Sequence, residues 1–381
     1  MKMNVRWFLI TLPMIPFILF GVAGCGGSAS GSGAAGPTAG EYLWEFSLTD
    51  EGLFFSTVNG STGQLGAPTA SGGIACNSLG TIPSIAVTPS NNFVFVIDKC
   101  FAGIHVYSMN GPGIALVEIL QSPFSLPSLV DSIAIDSSGK VLYAIGAAPG
   151  AVYQVSINGR TGELTLLSTT METADVREVV ADPKGNFIFV NDLTGGRIFA
   201  YVGGPSSLSS VPASPFTVPA NGQPVNLILE SNGSFLYAPL ISGGIAAFTV
   251  NASTGALSDV PGSPFPTSNQ PFALATDSLG KFLYSIGGSS NNAIEGFSID
   301  ANTGALTVIA GSPFITPSSL NSLAVDPSGK FLYATVNSTT LPGSAILGFA
   351  IDGSSGSLSG LPTSPYSSPP FPVDVVSLNI P

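Results

Sequence analysis

The sequence predicts an all-β protein built from repeated four-stranded sheets, and three observations support this prediction. The composition has 46 Gly and 31 Pro but only 8% charged residues, which suits strands and turns rather than helical bundles, whose wet faces need Lys, Arg and Glu. One short apolar element recurs at a regular interval. Between its copies, apolar runs alternate with turns that contain Gly, Pro, Asn or Asp.

The first part of the chain has the pattern of an export signal. Lys2 and Arg6 come before an apolar run at residues 8–20, which is too short to cross a bilayer and contains two prolines. Val22-Ala-Gly-Cys25 then resembles the lipobox of bacterial lipoproteins, in which the Cys is lipidated. We therefore expect residues 1–24 to be a signal peptide and Cys25 to carry the lipid. Residues 25–40, rich in Gly and Ser, are expected to form a flexible tether.

This beginning predicts an exported lipoprotein, held at the outer membrane, in the periplasm or at the cell surface through its lipid anchor alone. The net charge of −12 argues against nucleic acid as a partner, because that requires clustered Lys and Arg. We expect no cofactor, no metal and a monomer. Cys76 and Cys100 remain once Cys25 is set aside, and in an exported chain such a pair predicts a disulfide.

The repeated element is typified by residues 322–334, SLAVDPSGKFLYA, and occurs six times. Successive copies are separated by 48, 46, 48, 47 and 49 positions, as measured at Thr88, Asp136, Asp182, Glu230, Asp277 and Asp326. We interpret these residues as turn formers between a first and a second strand. A second turn with the pattern Asn/Asp-x-x-x-Gly joins a third strand to a fourth. In one copy the four strands are predicted at residues 273–276, 282–286, 293–299 and 305–309.

Ser-Pro-Phe follows the fourth strand in several copies. Because Pro cannot donate to a β-ladder, we expect the outermost strand to stop there. Units of four strands with this period are typical of a β-propeller. Residues 52–65 supply the second half of a further unit, and residues 372–380 resemble a first strand. We therefore predict seven blades over residues 41–381, with the C-terminal strand beside residues 41–48 so that the ring has no open edge.

The repeat resembles the seven-bladed lactonase-like propellers, which include 6-phosphogluconolactonase-like and YVTN-repeat proteins. The resemblance is carried by Asp-Pro-Ser-Gly-Lys-Phe-Leu-Tyr at residues 326–333 and by Phe189-Val-Asn-Asp-Leu193. It implies the fold more firmly than an activity, because one propeller fold hosts many functions. Lactonases of this family commonly carry Pro-His at the channel mouth. The equivalent positions here contain no His: Pro83, Asp131, Arg177, Val225, Phe272, Asn321 and Val373.

Within this ring Asp131 is a candidate catalytic base, and Arg177 a candidate partner for the oxyanion that forms in lactone hydrolysis. The alternative for these two residues is an ion pair that joins neighbouring blades. Other polar residues on the same rim are candidates for ligand binding: Asp98, Glu178, Asp192, Asn226, Asn321 and Asp374. His105 alternates within a third strand and is interpreted as a packing residue rather than a catalyst.

Two functions remain open on this sequence. The first is a binding or scaffold module that presents the rim to a carbohydrate, a peptide or an envelope protein. The second is a lactonase-type hydrolase that acts on a lactone or sugar lactone in the central channel. The sequence favours binding, because the ring lacks His and because an exported protein would not readily meet a cytosolic sugar-phosphate lactone.

Overall fold

A computed structural model describes residues 40–47, 52–73, 84–98, 103–109, 116–147, 150–172, 174–287, 292–336, 345–369 and 372–380. All of them belong to one unit, residues 36–381. Cys25, Cys76 and Cys100 lie outside the described residues, as does the whole predicted signal peptide, and the lipid and disulfide assignments stay predictions.

The described strands form seven antiparallel sheets, here called blades 1 to 7 in chain order. Blade 1 contains β1 (Gly40–Ser47), β2 (Gly52–Val58), β3 (Thr69–Gly73) and the last strand, β32 (Pro372–Ile380). Blade 2 contains β4 (Ile85–Val87), β5 (Phe93–Asp98), β6 (Gly103–Ser108), β7 (Val117–Glu118) and β8 (Phe124–Ser125). Blade 3 contains β9 (Val130–Ile135), β10 (Val141–Ala147), β11 (Gly150–Ile157) and β12 (Leu164–Met171). Blade 4 contains β13 (Val176–Ala181), β14 (Phe187–Asp192), β15 (Arg197–Val202), β16 (Ser209–Ser210) and β17 (Phe216–Thr217).

A single-turn 3-10 helix, Pro219–Asn221, connects blade 4 to blade 5. Blade 5 contains β18 (Ile228–Leu229), β19 (Phe235–Pro239), β20 (Ile245–Val250) and β21 (Leu257–Asp259). Blade 6 contains β22 (Pro271–Thr276), β23 (Phe282–Gly287), β24 (Ala293–Ile299), β25 (Leu306–Val308) and β26 (Phe314–Ile315). Blade 7 contains β27 (Leu320–Val325), β28 (Phe331–Val336), β29 (Ala345–Ile351), β30 (Leu358–Gly360) and β31 (Tyr366–Ser367).

The predicted seven-bladed, all-β fold is confirmed, and so is the way in which the ring closes. β32 is the innermost strand of blade 1 and pairs antiparallel with β1, from Gly40 opposite Ile380 to Phe46 opposite Asp374. The two ends of the propeller therefore share one sheet, and main-chain hydrogen bonds remove the edge that either end alone would leave open.

The hydrophobic core is divided among the seven interfaces between neighbouring blades. One cluster of buried side chains fills each interface, including that between blades 7 and 1, where Leu43 packs with Phe331 and Ile346. Each sheet thus buries both of its faces, as the apolar runs of the repeat require.

The fourth strand ends before Ser-Pro-Phe, as expected, but the outer edge has one further element. The aromatic residue that follows Pro begins a second short strand, as Phe314 does in β26, which pairs with β24. The Ser hydroxyl accepts a hydrogen bond from the third strand, for example from Gly296 N to Ser312 Oγ at 3.0 Å. The outer edge of the sheet therefore consists of two short strands with the motif between them. In that gap the Ser oxygen replaces a main-chain acceptor.

The acidic residues that start the repeated turns close those turns from within. In blade 7, Asp326 Oδ1 accepts hydrogen bonds from the N–H groups of Lys330 and Phe331, at 2.8 and 2.6 Å. Asp277 and Asp136 do the same in their own blades. These three side chains are buried, and main-chain donors hold Oδ1 of each, which accounts for the recurrence of Asp at this position without a ligand.

Candidate functional site

Five of the seven ring positions identified from the repeat coincide with β-bulges in the innermost strands. In blade 3, Ser132 lies opposite Ile145 while Val130 lies opposite Gly146, which leaves Asp131 as the extra residue. The same irregularity occurs in four other blades, at Arg177 with Glu178, Phe272, Asn321 and Val373. A bulge turns a side chain out of the alternation of its strand. The inner rim is thus a set of side chains displaced from the regular ladder at equivalent points.

Arg177 is the centre of the most polar part of this rim. Its Nη1 lies 3.3 Å from Asp131 Oδ2 in blade 3, and its Nε lies 2.6 Å from Asp175 Oδ1 in its own blade. The Arg177 side chain is 45% exposed, whereas those of Asp131 and Asp175 are 18% and 23% exposed. The predicted pair of Asp131 and Arg177 is therefore brought together, and a second carboxylate completes it.

Asp175 was not identified from the sequence, although a signal was present. Asp175 and Arg177 are two residues apart at the start of a strand, and residues with that spacing in an extended chain project to the same side. The ion pair with Asp131 joins blades 3 and 4, which is the alternative role that the sequence left open for these residues.

Asn191 holds the bulge in place from beneath. This side chain is fully buried, and its Oδ1 accepts hydrogen bonds from the N–H groups of Arg177 and Glu178, at 3.1 and 2.7 Å. Its Nδ2 donates to the carbonyl oxygen of Pro224 in blade 5, at 2.8 Å. Asn191 therefore ties the Arg177 backbone to the next blade, a role that no sequence pattern indicates.

Serine side chains link neighbouring inner strands around the same rim. Ser132 Oγ accepts from Val179 N at 3.2 Å and donates to Glu178 Oε1 at 3.0 Å. Ser84 Oγ accepts from Ile133 N at 3.3 Å in the same manner. Glu178, a candidate ligand residue, is thus engaged by blade 3 on one of its carboxylate oxygens.

The Asp192 side chain is buried and bonded within its own loop. It is 1% exposed, its Oδ1 accepts from Gly195 N at 2.9 Å, and its Oδ2 lies 2.6 Å from Arg197 Nη2. Asp192 therefore holds the loop between β14 and β15, and it is not presented to a ligand as the sequence suggested. Asn226 and Asn321 are half-buried; Asn321 is at the ring position of blade 7, and Asn226 is one residue after that of blade 5.

Asp98 and Asp374 lie in β5 and β32, but their side chains are outside what the structure describes. His105 lies in the third strand of blade 2, where its Nδ1 is 2.6 Å from Glu118 Oε1. Within the described part of the chain, no group of three or more His, Cys, Asp or Glu side chains is placed to hold a metal ion. No helix in the same residues is long and apolar enough to span a membrane.

The arrangement around Arg177 favours hydrogen bonding to a ligand over stabilisation of a negative charge that develops on a ligand. The positive charge of Arg177 is compensated by two carboxylates, so that its exposed N–H groups and the neighbouring oxygens form an adjoining set of donors and acceptors. An oxyanion hole instead needs positive charge or N–H donors aimed at a developing negative charge. The rim is thus suited to hydroxyl groups, which both donate and accept.

Comparisons with known proteins agree with this architecture. The family profile "Lactonase, 7-bladed beta-propeller" matches residues 199–318 and 237–363. A periplasmic gluconolactonase from Pseudomonas aeruginosa superposes with a TM-score of 0.72 at 20% identity, over 90% of this chain and 100% of that chain. A protein from Bacteroides fragilis described as a candidate 6-phosphogluconolactonase gives a TM-score of 0.75 at 17% identity, over 90% and 98%.

A third structure, of a protein from Lactobacillus plantarum, gives a TM-score of 0.67 at 20% identity, over 90% of this chain and 100% of that one. At these identities the solved structures support the fold alone. No curated protein sequence matches the chain. The seven closed blades establish a seven-bladed β-propeller, and the family match over residues 199–363 agrees with the resemblance of the repeat to lactonase-like propellers.

Proposed function

We propose that the protein is a binding module that recognises a hydroxyl-rich ligand, such as a carbohydrate, at the channel mouth. The observation that carries the proposal is the position of Arg177 between Asp131 and Asp175, with almost half of its side chain exposed. Bulged strands and the buried Asn191 hold this set in place before any ligand arrives, which lowers the entropy cost of binding.

The experiment compares wild type with Arg177→Ala, and Arg160→Ala serves as the matched control because Arg160 lies in an exposed turn of blade 3. Each protein is titrated calorimetrically with neutral mono- and oligosaccharides. We expect at least one ligand whose affinity falls tenfold or more in Arg177→Ala and is unchanged in Arg160→Ala. Equal affinity in all three proteins, or no binding at all, would contradict the proposal.

A second candidate function is lactone hydrolysis in the channel, which the family match and the name of the Pseudomonas aeruginosa relative favour. In that case Asp131 would activate water and Arg177 would stabilise the oxyanion. A panel of sugar lactones, followed by base uptake at constant pH, separates the two functions. Hydrolysis above the spontaneous rate in wild type, lost in Arg177→Ala, would establish the enzyme and replace the binding proposal.

We also propose that the propeller is exported and anchored by lipid at Cys25, on the basis of the charged start, the apolar run and Val22-Ala-Gly-Cys25. Cys25→Ser should move the protein from the membrane fraction to the soluble fraction. Incorporation of a labelled fatty acid into that variant would show that the lipidation site is elsewhere.

A further inference from the structure

We propose a second ligand site, in a groove between blades 4 and 5, that binds a neutral, hydroxyl-rich molecule of monosaccharide size. The groove has a volume of about 300 Å³, which is at the lower end of the range for small-molecule sites. It is lined by the loop between β14 and β15, the connection from β17 to blade 5, and the turn between β19 and β20. The site is separate from the contacts of Arg177 and does not depend on the function proposed for them.

The groove is polar but uncharged. Its side chains are hydroxyls and amides, together with one aliphatic group: Thr194, Thr217, Asn221, Gln223, Ser242 and Ile241. Among the described residues, none forms a hydrogen bond with any of the five polar side chains. By contrast, Asn251, in the turn at the other end of β20, accepts hydrogen bonds from the N–H groups of Ser253 and Thr254, at 3.0 and 3.1 Å. The groove therefore offers unused donors and acceptors that converge on one space.

The two charged side chains near the groove neutralise each other. Asp192 is buried beneath Gly195 and forms an ion pair with Arg197, whose guanidinium also lies 5.4 Å from the centre of the Phe199 ring. A charged ligand would find no free partner among the lining residues, whereas hydroxyls fit the neutral donors and acceptors. Ile241, 42% exposed, supplies an apolar patch for the C–H face of a sugar ring.

Glycines bring the two blades close enough to form the groove. A Cβ on Gly195 would collide with the carboxylate of Asp192. Gly196 has φ +61°, and a Cβ there would lie 2.9 Å from the carbonyl oxygen of Gly222. A Cβ on Gly222 would lie 2.6 Å from a Leu240 methyl group. Side chains at these positions would push the loops apart. The close approach of the loops therefore depends on these three glycines.

The connection that lines the groove has an unusual backbone. Ala220 and Asn221 have φ of 57° and 52°, in the left-handed region that residues other than Gly rarely adopt. Non-Gly residues in this region often occur at ligand sites, where the surrounding structure maintains the conformation. Here the two successive residues turn the Asn221 side chain into the lining of the groove.

The test uses the double variant Gln223→Ala/Ser242→Ala, with Gln121→Ala as a control because Gln121 is exposed and outside the groove. Methyl glycosides of glucose, galactose and mannose, and myo-inositol, are the probes, and saturation-transfer NMR and titration measure their binding. We expect at least one probe to bind wild type and to bind the double variant at least tenfold more weakly. Gln121→Ala and Arg177→Ala should retain the wild-type affinity for that probe.

Three results would overturn the proposal. The first is that no neutral probe binds folded wild type. The second is that binding survives in the double variant, since the groove would then not be the site. The third is that binding is lost in Arg177→Ala and kept in the double variant, which places the ligand at the channel mouth and supports the proposed function instead. Thermal melting of each variant shows that loss of binding is not loss of folding.

Discussion

At the scale of single residues, the environment of a carboxyl group decides what it does. Asp131 and Asp175 lie beside Arg177 on the rim, where each is paired with it and partly exposed. Asp192, only one strand away, is buried and bonded to its own loop. The residue type is the same in all three cases, and the turn and strand positions make the difference. Glu45 shows a third environment, because burial changes its protonation.

Glu45 lies in β1 and is fully buried. Ser368 donates a hydrogen bond to its Oε2 at 2.6 Å, while Oε1 has no partner in the described residues. Burial raises the pKa of Glu45 from 4.5 to about 7. The folded state therefore binds the proton more tightly than the unfolded chain. The free energy of unfolding should fall as pH rises from about 4.5 to about 7, by roughly 3 kcal/mol from this group.

Glu45→Gln keeps the shape of the neutral acid and removes its titration. We expect chemical denaturation at a series of pH values to show a flatter profile between pH 5 and 8 for this variant. Asp259→Asn, which changes an exposed carboxylate in β21, is the control and should keep the wild-type slope. An unchanged slope in Glu45→Gln would mean that Glu45 is not the group responsible.

At the scale of the structural element, five of the seven blades contact the next blade through one Phe and one Gly in the described residues. The Phe that opens the second strand packs against the last residue of the Asn/Asp-x-x-x-Gly turn in the following blade, as Phe187 does against Gly255 and Phe331 against Gly63. In blades 5, 6 and 7, the Tyr two residues after this Phe donates its hydroxyl to the same turn, for example from Tyr284 to the carbonyl oxygen of Gly356 at 2.8 Å. Burial raises the pKa of Tyr284, which keeps this donor protonated.

Gly255→Ala tests this contact between blades 4 and 5. Gly255 has φ +72°, and a Cβ would lie 2.5 Å from Phe187 Cδ1, so the substitution combines left-handed strain with overpacking. We expect a loss of roughly 2 to 4 kcal/mol in the free energy of unfolding. Gly353→Ala is the matched control, because Gly353 lies in the equivalent turn of blade 7 with no atom within 4 Å of its Cβ position. Equal stability of the two variants would show that Phe187 adjusts without cost.

The sequence predicts the elements well and the site less well, for physical reasons. The strands at residues 282–286 and 293–299 were predicted within one residue, because apolar runs and turn residues are local signals. The short strand after Ser-Pro-Phe is not predictable from local sequence, because the partner of the Ser hydroxyl is 16 residues away along the chain, as for Ser312 and Gly296. The groove between blades 4 and 5 has no local signal at all, since three separate segments form it.

At the scale of the whole molecule, stability depends on closure of the ring. β32 covers β1, whose Tyr42, Leu43 and Trp44 are buried at the two interfaces of blade 1. Without β32, the inner edge of blade 1 would be unpaired, and burial worth roughly 1.5 to 3 kcal/mol for each large apolar side chain would be reduced.

Deletion of residues 372–381 should therefore cause loss of cooperative unfolding or aggregation through the freed edge, as measured by calorimetry and light scattering. Deletion of residue 381 alone is the control, because it leaves all nine residues of β32 in place. A chain without β32 that melts at the wild-type temperature would show that the ring is stable without its closing strand.

The pairing of Gly40 with Ile380 brings together residues about 340 positions apart in the sequence. Such a contact forms only after a very large loop has closed, and contacts of this kind slow folding. A circular permutant, with these two ends joined by a short linker and the chain reopened between two other blades, would make blade 1 from one continuous stretch. The most distant pairing would then become a local hairpin. The ring would keep its seven blades, and the chain termini would lie between two other blades.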